Sequence, residues 1–145
     1  MTPNPTRSIE KRGGYVKQRV IGAIIYALVA LATANWIEYG LWSGQPYGHQ
    51  GPMRVALAGT AAFAISIFLS LLRSRFELLF GVVGIGLSWP YFGLLAADLP
   101  WKDVVWLVRI HVHGLDQVAA ILFLIVATIY VLKRGWTWPA RYAPR

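Results

Sequence analysis

A chain of 145 residues that is 57% hydrophobic and only 14% charged falls well short of the roughly 25% charge of a soluble domain and reads as an all-α integral membrane protein. It contains no cysteine, which excludes disulfide partners, thiolate metal sites, iron–sulfur ligation and cysteine nucleophiles together. The net charge of +8 belongs to membrane topology and not to nucleic acid, because basic loops attract the inner leaflet and stay on the cytoplasmic side.

In chain order, residues 1–19 read as a basic cytoplasmic tail. Within it, 1–14 is rich in Pro, Arg and Gly and has too little apolar surface to fold alone, which suits it to the headgroups or to a partner. Residues 20–133 then form one transmembrane domain, and 134–145 a second basic cytoplasmic tail. The domain holds four apolar stretches, 20–42, 53–72, 76–97 and 104–132. Each is long enough, at ~1.5 Å per residue, to cross a hydrocarbon slab about 30 Å thick as a helix. None alternates apolar and polar residues as a membrane strand does.

The first stretch has a rival as a signal peptide, because a basic tail precedes Val20–Leu31 and Ala32-Thr33-Ala34 offers a small-x-small cleavage site. Trp36, Ile37, Tyr39, Leu41 and Trp42 carry the apolar run on to spanning length, so a retained helix is expected. The second stretch is built of small residues, among them Ala56, Ala58, Gly59, Thr60, Ala62 and Ser66, which permit close helix contact. In the third, Pro90 has no N–H for the carbonyl near Gly86, which predicts a kink there. Glycines at 81, 84, 86 and 93 accompany it. No internal repeat relates the two helical pairs.

Cationic residues set the orientation. Arg7, Lys11, Arg12, Lys17 and Arg19 precede the first span, Arg73 and Arg75 separate the second from the third, and Lys133, Arg134, Arg141 and Arg145 follow the fourth. Eleven of the fourteen Lys and Arg residues thus lie on one side, leaving Arg54 and Lys102 in the opposite loops and Arg109 within the fourth stretch. Both termini are expected in the cytoplasm of a bacterial-type inner membrane.

Counting about 20 residues from each cytoplasmic anchor gives depth. From Lys133 the count reaches His113 and Gly114, from Arg19 it reaches Glu38 and Tyr39, and from Glu77 it reaches Asp98. His49 belongs to the first outer loop, so all three histidines fall on the outer side. So do four of the six acids, Glu38, Asp98, Asp103 and Asp116.

The densest polar segment is RIHVHGLD, residues 109–116. On a continuous helix Arg109, His113 and Asp116 share one stripe while His111 faces nearly the opposite way. Glu38, Asp98, Arg109, His113 and Asp116 therefore make the candidate outer polar cluster. Its plainest role is an anchor, with Trp101, Trp106 and Arg109 marking the headgroup level. A second role is cofactor binding, with His113 or His111 as single axial ligand to a haem or chlorophyll-type pigment shared with another subunit; spans one to three hold no histidine, which argues against an internal bis-histidine haem. A third is a quinone pocket, for which Trp36, Tyr39, Trp89, Tyr91 and His113 offer aromatic surface and donors.

A resident metal is not expected. His-x-His aligns both rings only in extended backbone, and zinc needs further ligands from His49, Asp116, Asp98 or Glu38. HVHGLD resembles the strand-end His-x-His motif of metal-dependent amidohydrolases over six residues, but the barrel that motif requires exceeds this chain. Catalytic residues are not expected either, since no serine stands in Gly-x-Ser-x-Gly, no loop cradles phosphate and no two acids pair along the sequence.

These features point to an accessory, structural subunit of a larger membrane complex of the respiratory or photosynthetic electron-transfer kind, with other membrane subunits and lipid as partners. One rival is a small oligomeric transporter or channel with the ionisable cluster as its outer vestibule. Residues counted to the midplane, such as Tyr26, Ala30, Ala62, Ile65, Gly86, Leu87 and Ile125, are poor conductors of ions and weigh against it. The other rival is a haem-, pigment- or quinone-binding subunit.

Overall fold

The computed structural model describes residues 5–43, 47–72, 74–98 and 111–136, with side chains at 14, 16–41, 50–72, 74–98 and 117–135. The chain is all-helical over these residues. Its helices are α1 (Pro5–Ser43), α2 (Tyr47–Leu71), α3 (Phe76–Asp98) and α4 (His111–Trp136). Each contains a segment long and apolar enough to cross a membrane, namely Val16–Leu41, Gln50–Leu71, Phe76–Asp98 and Gln117–Gly135.

Two helix starts differ from the sequence pattern, and each has a backbone reason. α1 reaches back to Pro5 through the stretch expected to be a tail. Once the apolar part of α1 is wound, extending it adds one bond per residue without a new nucleus, and proline suits a first helical position. α2 begins at Tyr47, so His49 lies in its first turn and not in a loop, and Pro52 just beyond that turn forfeits one backbone bond. α4 begins at His111 among the described residues, which leaves Arg109 outside them. α3 stays helical through Pro90, whose ring has no N–H to offer Gly86; both residues face outward.

α1 packs beside α2 and α4, and α3 packs beside α2 and α4, which closes four antiparallel neighbours into an up-and-down bundle. The turn from α2 to α3 is short. In it Leu72 N–H donates to the Phe68 carbonyl, Ser74 N–H to the Leu69 carbonyl, and Glu77 N–H to the Ser74 carbonyl. Ser74 Oγ accepts the Phe76 N–H and caps α3.

The core runs along the bundle axis through Tyr26, Val29, Ile37, Phe63, Tyr91, Phe92 and Leu124. α2 and α3 approach most closely where glycine faces a side chain. A Cβ on Gly84 would stand 2.7 Å from the Phe63 ring, and one on Gly59 would stand 2.5 Å from Ser88 Oγ. Large apolar side chains cover the outside, including Leu31, Phe68 and Leu132, each about two-thirds exposed. Small and polar groups lie within, among them Thr33, Ser66, Ser70, Glu77 and Ser88. A lipid-facing bundle has this arrangement, because hydrocarbon solvates leucine as well as a protein core does.

Candidate functional site

Alternating helix directions bring the end of α1, the end of α3 and the start of α4 to one end of the bundle. Of the five residues proposed as the outer polar cluster, Glu38 and Asp98 are placed there and are exposed. His111, His113 and Asp116 occupy the first two turns of α4, and their side chains lie outside the described set, as does all of Arg109. Among the described residues, no three of His, Asp and Glu lie close enough to hold a metal ion.

The aromatic residues offered for a quinone pocket separate into two groups. Trp89 turns toward α4, where its Nε1 donates to Thr128 Oγ1 at 3.1 Å; Thr128 in turn donates to the Leu124 carbonyl at 2.7 Å. Trp36, Tyr39 and Tyr91 gather instead on the bundle axis. The rings of Trp36 and Tyr39 are 5.2 Å apart and tilted, and Tyr91 meets Phe92 edge-on at 5.1 Å. Trp36 Nε1 and Tyr91 Oη lie within reach of each other. Both atoms are buried, and among the described residues neither makes a hydrogen bond of good geometry.

The strongest polar constellation lies at the opposite, basic end, where α1 starts, α2 ends, α3 starts and α4 ends. Of the three acids whose side chains are described, Glu38 and Asp98 are exposed and Glu77 is buried. Glu77 Oε1 accepts from Arg134 Nη2 and from the Tyr130 hydroxyl, each at 3.2 Å. The acid is 4% exposed and the arginine 24% exposed, so the pair straddles the edge of the bundle with the carboxylate inside.

Every helix joins this cluster. Ser66 Oγ on α2 bonds the Ala62 carbonyl of its own helix at 3.0 Å and the Glu77 carbonyl of α3 at 3.3 Å. Ser70 Oγ donates to the Arg19 carbonyl of α1 at 3.1 Å. From α1, Tyr26 crosses the axis to lie against Gly81 of α3, where an added Cβ would stand 2.6 Å from its hydroxyl oxygen. The Tyr26 ring meets Tyr130 edge-on at 5.7 Å and stacks on Phe63 at 6.4 Å. Among the described residues its buried hydroxyl has no hydrogen-bond partner. Halfway along, Thr33 and Thr60 join α1 to α2 through a 2.9 Å contact between hydroxyls. Each hydroxyl also has a carbonyl acceptor one turn back, Val29 for Thr33 and Ala56 for Thr60.

Glu77 is the residue the sequence pattern undervalued, serving there only as a depth marker. Ser74-Arg75-Phe76-Glu77 has the Ser-x-x-Glu form of a capping box, in which the acid folds back on the serine N–H. Here that N–H already donates to Leu69, and the freed carboxylate turns inward to α4. The available signal was Tyr130 and Arg134 one turn apart on α4, a phenol and a guanidinium that both seek an acceptor on the same face.

Comparison with known proteins adds no relative, since no protein-family model, no curated protein and no solved structure matches the chain.

Proposed function

We propose that this chain is a non-catalytic accessory subunit of a larger membrane complex. It lies in a bacterial-type inner membrane with both termini cytoplasmic and with its third helix bent at Pro90. The observation that carries this reading is how the interior polar groups are used. Glu77, Tyr130 and Arg134 bind one another across α3 and α4, Thr33 meets Thr60 across α1 and α2, and Trp89 binds Thr128. A transport pathway needs polar groups turned toward a passing ion, whereas these tie one helix to the next. The outer faces of the helices, apolar and interrupted by outward-facing Gly86 and Pro90, suit lipid and neighbouring helices. Electron-transfer complexes of respiratory or photosynthetic type are the assemblies in which small four-span subunits commonly serve, and they are the expected host.

Gentle native purification followed by identification of co-purifying chains tests the proposal. Membrane subunits in fixed stoichiometry are expected. A stable, partner-free monomer in both detergent and native lipid refutes it.

A further inference from the structure

At the end of the bundle away from Glu77, two side chains of opposite charge face outward, Glu38 of α1 and Arg54 of α2. Among the described residues neither makes a hydrogen bond or an ion pair. The contact between Thr33 and Thr60 fixes how these antiparallel helices lie side by side. Counting outward from it along each helix sets Glu38 level with Val55 and Arg54 level with Tyr39, so the two charges stand at one depth.

They also share one face. At about 3.6 residues per turn, Glu38 is turned about 140° from Thr33 and Arg54 about 120° from Thr60, and because the helices run antiparallel both turns are to the same side. Gly59, beside Thr60, turns the opposite way, onto Ser88 and Gly84 of α3. Glu38 and Arg54 therefore lie on the outer face of the α1–α2 pair, away from α3. Packed helix axes stand about 8–10 Å apart, so this face presents one charge of each sign on separate ridges. Deeper in the same face are Ala34, one turn from Glu38, and Ala61, two turns from Arg54, both exposed and small enough to admit a close neighbour.

A two-fold axis along the membrane normal makes this face complementary to itself. It sets α1 of one copy against α2 of the other and brings each Glu38 to the other copy's Arg54 at matching depth, which forms two equal ion pairs. Isologous contacts of this kind close most homodimers, and two chains inserted in the same direction keep the depths matched. We infer that the outer face of α1 and α2 binds a second copy of this chain, giving a parallel dimer with reciprocal Glu38–Arg54 pairs at its edge. The dimer is independent of membership in a larger complex, so either reading can fail while the other stands.

Light scattering of the purified full-length chain, in mild detergent and in native-lipid nanodiscs, tests it. A protein mass of two chains is expected, at 16.2 kDa each. Glu38→Arg and Arg54→Glu each turn both pairs into like-charge contacts and should weaken the dimer at least about 10-fold. Mixed one to one, these two variants should pair with each other as tightly as the parent does, because every contact between them is again opposite in sign. Glu38→Gln keeps the side chain's shape and should weaken the dimer about 2- to 30-fold, the range for losing two exposed ion pairs, so it decides the matter even if a reversed chain fails to fold. A parent of one-chain mass in both media, with headgroups alone solvating the two charges, overturns the inference. So does equal affinity for the parent and Glu38→Gln, or a pair of folded reversed chains that do not join when mixed.

Discussion

Removing the Glu77 carboxylate strikes a charge inside the bundle that joins two helices. In Glu77→Ala, Arg134 loses this carboxylate partner and Tyr130 loses the acceptor it meets at 3.2 Å. Breaking a fully buried ion pair from one side costs about 3–5 kcal/mol. That range is an upper bound here, because the Arg134 side chain is 24% exposed and can extend its long stem toward the headgroups. Adding the lost Tyr130 bond, about 1 kcal/mol, to a discounted charge effect gives a destabilisation on the order of 2–3 kcal/mol. Glu77→Gln keeps an acceptor for Tyr130 and nearly the same volume, so about 1–2 kcal/mol is expected from the charge alone. Unfolding in mixed micelles of rising dodecyl sulfate content, followed by circular dichroism, measures these differences. The decisive measurement is the cycle Glu77→Gln, Arg134→Met and the double variant, for which the geometry requires a coupling of about 1–2 kcal/mol. If the single effects add to within about 0.5 kcal/mol, the ion pair contributes nothing and the account of the basic end is wrong.

Three further outcomes follow from the packing and the charge pattern. Gly84→Ala forces a Cβ to 2.7 Å from the Phe63 ring and should destabilise by about 1–3 kcal/mol, whereas Gly86→Ala, with nothing within 4 Å, should be neutral or stabilise by up to about 1 kcal/mol; similar melting for the two would refute the close approach of α2 and α3. Thr33→Val deletes the hydroxyl facing Thr60 at 2.9 Å and should lose about 0.6 kcal/mol, the usual size of an interhelical bond in a membrane protein, with Thr60→Val adding little more once Thr33 is gone. Because the chain has no cysteine, single exposed sites at Gly14, Gly51 and Gly135 can each be made cysteine without background; an impermeant maleimide on intact spheroplasts should label Gly51→Cys and spare the other two until lysis, and the reverse pattern would refute cytoplasmic termini.

Helices long and apolar enough to span a membrane were legible because a ~30 Å apolar slab sets a length that few other structures need. The four stretches at 20–42, 53–72, 76–97 and 104–132 coincide with most of the helical span segments, while α1 and α2 extend beyond the apolar pattern to Pro5 and Tyr47. Hydropathy reports where lipid is tolerated and not where backbone hydrogen bonding stops. The small residues of α2 were legible too, since Gly59 and Ser66 do meet α3. Glu77 was not. Its one-dimensional context, flanked by Arg75 at the start of an apolar run, is that of an ordinary interfacial acid, and only the arrival of α4 from 53 residues away makes it an interior group. The split between Trp89 and the Trp36–Tyr91 pair was equally hidden, because two aromatics two positions apart on α3 necessarily face different neighbours, and sequence does not say which neighbour holds an acceptor.

These placements divide the bundle into unlike halves. Bonds to Glu77 and its carbonyl from α2 and α4, with the Ser70 bond to α1, lace all four helices together at the basic end. Toward the other end the buried side chains of Trp36, Ile37, Tyr91, Phe92 and Leu95 belong to the aromatic and aliphatic core. Polar bonds are directional and fix register, whereas apolar contacts within a bilayer are readily exchanged for lipid or for another apolar surface. Local opening free energies follow such differences in bonding. The laced basic end therefore fixes the register of the four helices.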